Sequence, residues 1–322
     1  MYPLKFQPIL KEMIWGGQKI PQTLGLESSN EIQIGESFAI SGLPSDLSIV
    51  SNGVFKGKNL VELIYEFKGE LLGNKVYDEF LTKFPLLIKF IDANDNLSIQ
   101  VHPNDIQAKM EHNSFGKTEM WYVMESDENA SLIAGFSKKT TPSEFENYHA
   151  SKRLMELMES HPTAEGDAYF IPAGKVHSIG KGNVIAEIQQ TSDITYRIYD
   201  FDRTDKFGKS RELHHELALK AMNFTDDESG KVVYQSKANE SVNIASCPYF
   251  TTNILQLDSK IVKDYSQLDS FVILMNVGGE CVIKYNNQNL PLQKMEVALI
   301  PACITEIEID TITKSKLIEV YI

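Results

Sequence analysis

The stretch that most constrains this chain runs over residues 166–203, GDAYFIPAGKVHSIGKGNVIAEIQQTSDITYRIYDFDR. Ala168, Phe170 and Pro172 alternate with Asp167, Tyr169 and Ile171, the pattern of a half-buried β-strand. Pro172 and Gly174 then turn the chain, and a second apolar run follows His177. A neutral imidazole just after a rigid turn can be aimed into a barrel as a metal ligand. Taken singly, it reads better as a core histidine bonded to a neighbour.

The spacing favours the ligand. Gly166, Pro172, Gly174 and His177 stand as G-x5-P-x-G-x2-H, the second half of the cupin signature. Upstream, Gln100 and His102 sit two apart in LSIQVHPND (97–105), on one face if this is a strand. Glu119 lies in a third apolar segment, GKTEMWYV (116–123). Gln100, His102, Glu119 and His177 therefore offer an amide oxygen, two imidazoles and a carboxylate. That set suits one Zn²⁺ per chain, with Fe²⁺ and Mn²⁺ also open.

These segments, with IPAGKVHSI (171–179) and the pair Glu187/Arg197 spaced E-x9-R, resemble type I mannose-6-phosphate isomerases of the short bacterial form. The resemblance spans nearly the whole chain and thins after residue 225. Gln100 stands where general cupins carry histidine, and sixteen residues separate His102 from Glu119; both departures match the isomerases. The resemblance implies interconversion of mannose 6-phosphate and fructose 6-phosphate through a cis-enediol(ate). Two alternatives are a non-catalytic metal-cupin that senses a phosphosugar and a cupin-type glucose-6-phosphate isomerase, for which a more regular His-x-His motif is expected.

Further site residues follow partly from residue chemistry and partly from the resemblance. Arg197 is a fixed cation suited to an enediolate, or else a salt-bridge partner of Asp193, Asp200 or Asp202. Glu187 is a candidate acid/base group, on a strand expected beside that of His177. Lys117 shares a face with Glu119 and would lie beside the metal, unless it is a solvated loop lysine. Lys89 interrupts PLLIKFID (85–92), so it either snorkels to solvent or meets a phosphate in a polar pocket; the resemblance supports the second. Ser98 shares the face of Gln100 and offers a hydroxyl to the phosphate. The resemblance also implies a substrate-facing glutamate near Glu36 and a site tryptophan at Trp15. Unaided, these read as a solvent-facing glutamate and a core tryptophan.

The expected fold is mainly β: two tandem cupin-like jelly rolls, with helical insertions in and after the first. The first domain spans 1–230, with insertions at about 57–83, 104–112, 141–159 and 210–224. The pattern Asn59-x-x-Glu62 caps the first, on the outside of the barrel; Thr141-Pro142-Ser143-Glu144 starts the third. Residues 84–102 read as a strand pair, and 120–134 as a hairpin. The last insertion reads as an amphipathic helix with Leu213, Leu217 and Met222 inward and His214 and His215 at the surface. Residues 231–322 read as a degenerate copy of the first barrel. FVILMN (271–276) parallels MWYVME (120–125), and VALIPA (297–302) parallels AYFIPA (168–173). Glu306 stands where His177 would, and no histidine follows His215.

A chain of 322 residues with a net charge of −13 argues against nucleic acid, and it needs local cations to hold an anionic sugar. Its apolar runs fall far short of the ~20 residues of a membrane span. No signal peptide is evident, and Cys247, Cys281 and Cys303 are unevenly spaced, which suggests buried thiols in a reducing compartment. A cytoplasmic monomer or homodimer acting on a small phosphosugar is the expectation.

Overall fold

The structure, a computed structural model, describes residues 1–26, 32–205, 207–226 and 228–322. It is mainly β. Among the described residues the strands form sheets of seven, five, six and four strands and a two-stranded ribbon. Across the seven-stranded sheet the order is Lys231–Val232, Ala168–Ile171, Glu119–Ser126, Asn183–Gln190, Leu86–Ala93, Ile34–Ile40, Ile9–Gly17. The five-stranded sheet runs Met158–Pro162, Ser131–Phe136, His177–Ile179, Ile99–Val101, Tyr196–Tyr199.

The side-chain clusters order the layers. Leu86–Ala93 and Asn183–Gln190 are buried at every position, so both faces of the seven-stranded sheet are covered. On one face Ile91, Ala93, Trp121 and Ile185 meet Leu97, Leu132, Ala134 and Ile179 beside and within the five-stranded sheet. On the other, Ile88, Phe90, Met120 and Ala186 meet Ile254, Ile273, Leu299 and Ile318 of the six-stranded sheet. That sheet packs its far face on the four-stranded one through Leu255, Leu274, Ile283 and Ile309. Helices Pro142–Ala150 and His215–Ala221 cover the outside of the five-stranded sheet.

Several expectations are corrected. Glu119–Ser126 and Ser131–Phe136 do not form a hairpin. Both edges of the former are already paired, by Ala168–Ile171 and Asn183–Gln190, so the chain crosses to the facing sheet. Leu86–Ala93 and Ile99–Val101 are likewise in different sheets rather than paired, as are the strands of Glu187 and His177. The turn between Ile171 and His177 makes the same crossing. Gly174 permits it: its φ is +90°, and a Cβ there would lie 3.0 Å from the carbonyl oxygen of Ala221.

The helices are shorter than their patterns. Asn59 and Glu62 do form the reciprocal capping box of Leu60–Phe67. The short helices Gly69–Leu72 and Asn74–Phe80 follow. This insertion, expected on the outside of a barrel, packs into the core between the seven- and six-stranded sheets. Leu63, Ile64 and Leu72 join the core shared by the two large sheets, and Leu72 accepts a backbone bond from Phe271. The helix from Pro142 ends at Ala150, before Lys152 at φ +58°, and Leu154–Leu157 is a 3-10 turn. The last helix covers only His215–Ala221, because the segment before it is hydrogen-bonded to the strand Tyr196–Tyr199; Leu213 is 48% exposed, not inward. Of the cysteines only Cys281 is buried; Cys247 is half-buried and Cys303 exposed.

Two strands cross the expected boundary. Leu4–Lys5 pairs with Val297–Ile300, and Lys231–Val232 pairs with Ala168–Ile171. The halves are thus laced together, and Phe84 packs against Phe271 across the seam, the rings tilted by 34° with centroids 4.9 Å apart. Phe271→Ala should cost about 3–5 kcal/mol, the range for deleting a buried aromatic. Denaturant unfolding should show a single transition moved to lower denaturant. Two separable transitions, only one of them moved, would show that the halves unfold independently.

Candidate active site and metal centre

Two rows of cross-strand partners build the site. On the five-stranded sheet His177 is in register with Gln100, and Gln100 with Arg197, so three neighbouring strands set these side by side. On the facing sheet Lys89 is in register with Glu187, and Glu187 with Trp121. Glu119 lies two residues before Trp121, on the same face. Between the sheets is a cavity of about 430 Å³. Trp15, Glu36, Lys89, Ser98, Gln100, Lys117, Glu187 and Arg197 all line it.

His102, Glu119 and His177 are buried against this wall, with ligand atoms all within 4.8 Å of one another. The Nδ1 of His102 donates to the carbonyl of Ile194 at 2.8 Å, and that of His177 to the carbonyl of Lys175 at 2.8 Å. Those bonds fix both tautomers, leaving Nε2 lone pairs that face each other at 3.1 Å. Glu119 Oε2 accepts from the Trp121 indole at 3.0 Å, while its Oε1 is buried without a hydrogen bond of good geometry. Lys117 Nζ lies 3.0 Å from that oxygen and 3.3 Å from His102 Nε2. Burial, then the charge of Lys117, holds His102 neutral with its pKa lowered to about 3; burial also lowers that of His177. Burial pushes Glu119 up, but Lys117 and then His102 pull it well below the ordinary carboxylate range.

Two opposed lone pairs and an orphaned carboxylate oxygen fit a divalent cation. Gln100 stands next to them but turns its amide nitrogen, not its oxygen, to His177 Nε2 at 3.3 Å, while its oxygen accepts from Ser98. To act as a ligand its amide must rotate half a turn.

Lys117 is buried rather than a solvated loop lysine. Lys89 does not snorkel either: it sits 3.1 Å from Glu187 and 3.7 Å from Glu36, which keep it charged despite burial. Burial and the nearby Glu119 push Glu187 up to about 7, against the pull of Lys89. Trp15 is both core and cavity wall. Arg197 makes no ion pair among the described residues. Its Nη1 donates to the carbonyl of Glu212, its Nε is buried without an acceptor, and Asp200 is taken by Arg203 and Arg211.

Sequence reasoning missed three contributors. Arg211 lines the cavity from a segment that reads as helix. His214, expected at the surface, is half-buried: its backbone amide donates to the carbonyl of Arg197, and its Nδ1 accepts from the Arg197 amide. His112, at the end of the helix Asp105–His112, bonds the hydroxyl of Tyr196 on the strand that carries Arg197, at 2.9 Å. Glu306 is exposed and in register with Asp264.

The chain matches the family model of phosphomannose isomerase type I, catalytic domain, over residues 3–140. It also matches mannose-6-phosphate isomerase, cupin domain, over 240–322. The mannose-6-phosphate isomerase of Streptococcus mutans is 35% identical over 309 residues, covering 96% of this chain and 95% of that protein. The chain belongs to the type I phosphomannose isomerase family. ManA of Bacillus subtilis, a mannose-6-phosphate isomerase, is 32% identical over 96% of each chain. The crystal structure of the mannose 6-phosphate isomerase from Bacillus subtilis superposes with a TM-score of 0.86 at 30% identity, covering 100% of both chains. Among the described residues no helix of this family member is long and apolar enough to cross a membrane.

His177→Ala removes one of the two facing lone pairs. Bound divalent metal, read by elemental analysis after dialysis, should fall well below one equivalent while circular dichroism stays native. Stoichiometric metal in that variant would remove His177 from the ligand set.

Proposed function

We propose that this chain interconverts D-mannose 6-phosphate and D-fructose 6-phosphate by metal-assisted cis-enediol(ate) proton transfer. The observation that carries the reading is one cavity, in a member of this family, lined by the buried acid Glu187 and by Arg197, which has no ion pair among the described residues; the cavity-lining Gln100 and Lys117 touch His177 and Glu119 of the His102/Glu119/His177 group behind them. A non-catalytic sensor needs no acid poised for proton transfer, and Glu187, at about 7, is one.

His102, Glu119 and His177 would hold the ion, with Gln100 completing the set once its amide rotates. The donors suit Zn²⁺ first, and Fe²⁺ or Mn²⁺ after it. Bound there, a divalent cation supplies Lewis acidity towards the sugar oxygens. Glu187 takes the proton from C2 of the aldose and returns it to C1 for the ketose. Arg197 stabilises the enediolate from the facing sheet. Lys117, fixed beside Glu119, adds positive charge near the same oxygens and is the second candidate for moving a proton. Lys89, compensated by two carboxylates, sets the charge of Glu187 rather than meeting the phosphate. The hydroxyl of Ser98 serves Gln100. Glu36 and Trp15 complete the sugar wall.

In the same reading the seven- and five-stranded sheets form one cupin-like barrel and the six- and four-stranded sheets a second. The division falls near residue 230, with one short strand of each half lent to the other.

A coupled assay of purified protein with mannose 6-phosphate and glucose 6-phosphate, before and after chelation, tests the function. Turnover of mannose 6-phosphate that chelation abolishes is expected; its absence in metal-replete enzyme would sink the reading.

Glu187 works as a base only when ionised, so kcat/KM should rise with pH. The rising limb should sit above the 4.5 of a free glutamate and no higher than about 7, since a nearby cation favours the carboxylate. Glu187→Gln should erase that limb and lower kcat by about 10²-fold or more. An unshifted limb in that variant assigns the titration elsewhere.

Arg197→Ala should lower kcat by about 10²-fold, the scale of one preorganised electrostatic donor, with Arg197→Lys in between. Near-normal kcat with a raised KM would make Arg197 a phosphate anchor instead.

A further inference from the structure

With Lys89 and Ser98 committed elsewhere, the cations that remain free for a phosphate lie on the opposite wall. Around Lys89 two carboxylates face one ammonium. At the end of the strand Tyr196–Tyr199 the balance is reversed. Arg203 and Arg211 both pair with Asp200, and Arg197 stands beside them with no ion pair among the described residues. Asp200 is buried, 5% exposed, and accepts from Arg203 Nη2 at 2.7 Å and from Arg211 Nε at 2.8 Å. Asp95 also pairs with Arg203, at 3.2 Å, so three guanidiniums meet two carboxylates and one positive charge is left uncompensated. Asp193, on the same wall, is solvent-exposed, where water screens it.

Of the three arginines, Arg197 and Arg211 line the cavity, together with the hydroxyl-bearing Thr195. Arg211 spends Nε and Nη2 on Asp200, and its Nη1 has no partner among the described residues. A guanidinium held by a buried carboxylate on one edge is an oriented donor on the other. Its segment is held in turn: the neighbouring Glu212 and His214 bond the side chain and backbone of Arg197.

We infer that Arg211 grips the phosphate of the bound sugar, with Asp200 as the residue that positions its guanidinium. This rests on the isomerase reading and deepens it, separating a phosphate end at Arg211 from the reacting end at Glu187 and the metal ligands. The dianion would thereby lie on the wall where cations exceed carboxylates, away from Glu36, Glu187 and Glu119.

Calorimetric titration of mannose 6-phosphate and of inorganic phosphate into the parent, Arg211→Ala and Arg211→Lys proteins tests this, alongside steady-state kinetics. Arg211→Ala should weaken both ligands by about tenfold or more, as expected for losing a hydrogen bond to a charged group. Its kcat should stay within about threefold, so that the loss appears in KM. Arg211→Lys, which keeps a cation beside Asp200 but lacks the planar second edge, should be intermediate and native by thermal unfolding. Binding of both ligands within about twofold of the parent, in either variant that folds, overturns the assignment and leaves Arg211 a structural partner of Asp200. A fall in kcat at unchanged affinity overturns it too. Because the titrations need no turnover, a parent that binds phosphate through Arg211 but fails to isomerise would sink only the isomerase reading.

Discussion

The burial of four charged side chains between two sheets is the constraint on which the rest depends. Lys89, Lys117, Glu119 and Glu187 are each 5% exposed or less. Taking ions from water costs several kcal/mol apiece, and breaking one pair of such a set leaves an uncompensated charge worth about 3–5 kcal/mol. The cost is met only if partners are placed to within a few tenths of an ångström. Cross-strand register does that here: Lys89 and Glu187 are direct partners on adjacent strands, and Lys117 and Glu119 are neighbours on one face. Apolar residues would pack as well at lower cost, so the charges mark this interior as a site.

That interior needs a rigid back. The seven-stranded sheet bears the charges on one face, and the opposite face is held by the six-stranded sheet and the wedge of helices after Asn59. The C-terminal half thus enters the chemistry through packing. Its hydrophobic face turns a sheet that would otherwise present Ile88, Phe90 and Met120 to water into a layer covered on both sides. The exchanged strands Leu4–Lys5 and Lys231–Val232 pin the halves at both ends of the first one.

Much of the site was legible in the sequence, for a definable reason. A candidate ligand set built from i, i+2 alternation and a glycine-proline turn depends on local geometry, and local geometry is what His102, Gly174 and His177 encode. Alternation says which face a residue occupies, not which strand lies next to it. The sheet partition was therefore illegible: the apparent hairpin over 120–134 and the strand pair over 84–102 both divide between sheets. The N-cap residues Asn59 and Thr141 marked helix starts well, but helix ends were set by left-handed residues such as Lys152 and by bonds to distant strands. Arg211 was hidden for the second reason. The residues around it carry a helical pattern, and tertiary bonds hold them along the cavity instead: His214 and Glu212 to Arg197, and Arg211 to Asp200.

The same reasoning separates the three basic residues that the alternation pattern left equivalent. A cation's role follows from what already neutralises it. Lys89, flanked by Glu36 and Glu187, has its charge spent on raising the ionised fraction of an acid that burial would otherwise hold neutral. Lys117, against Glu119 and His102, offsets charge at the candidate metal-binding group itself. Arg197 is the one of the three with no direct ion pair among the described residues, Asp200 and Glu212 acting on it only through space, which leaves its charge the most available to an arriving anion. In a protein of net charge −13, a half-buried guanidinium with no ion pair among the described residues is available to an arriving anion, and the hydrogen bonds with residues 212 and 214 hold it at the cavity wall.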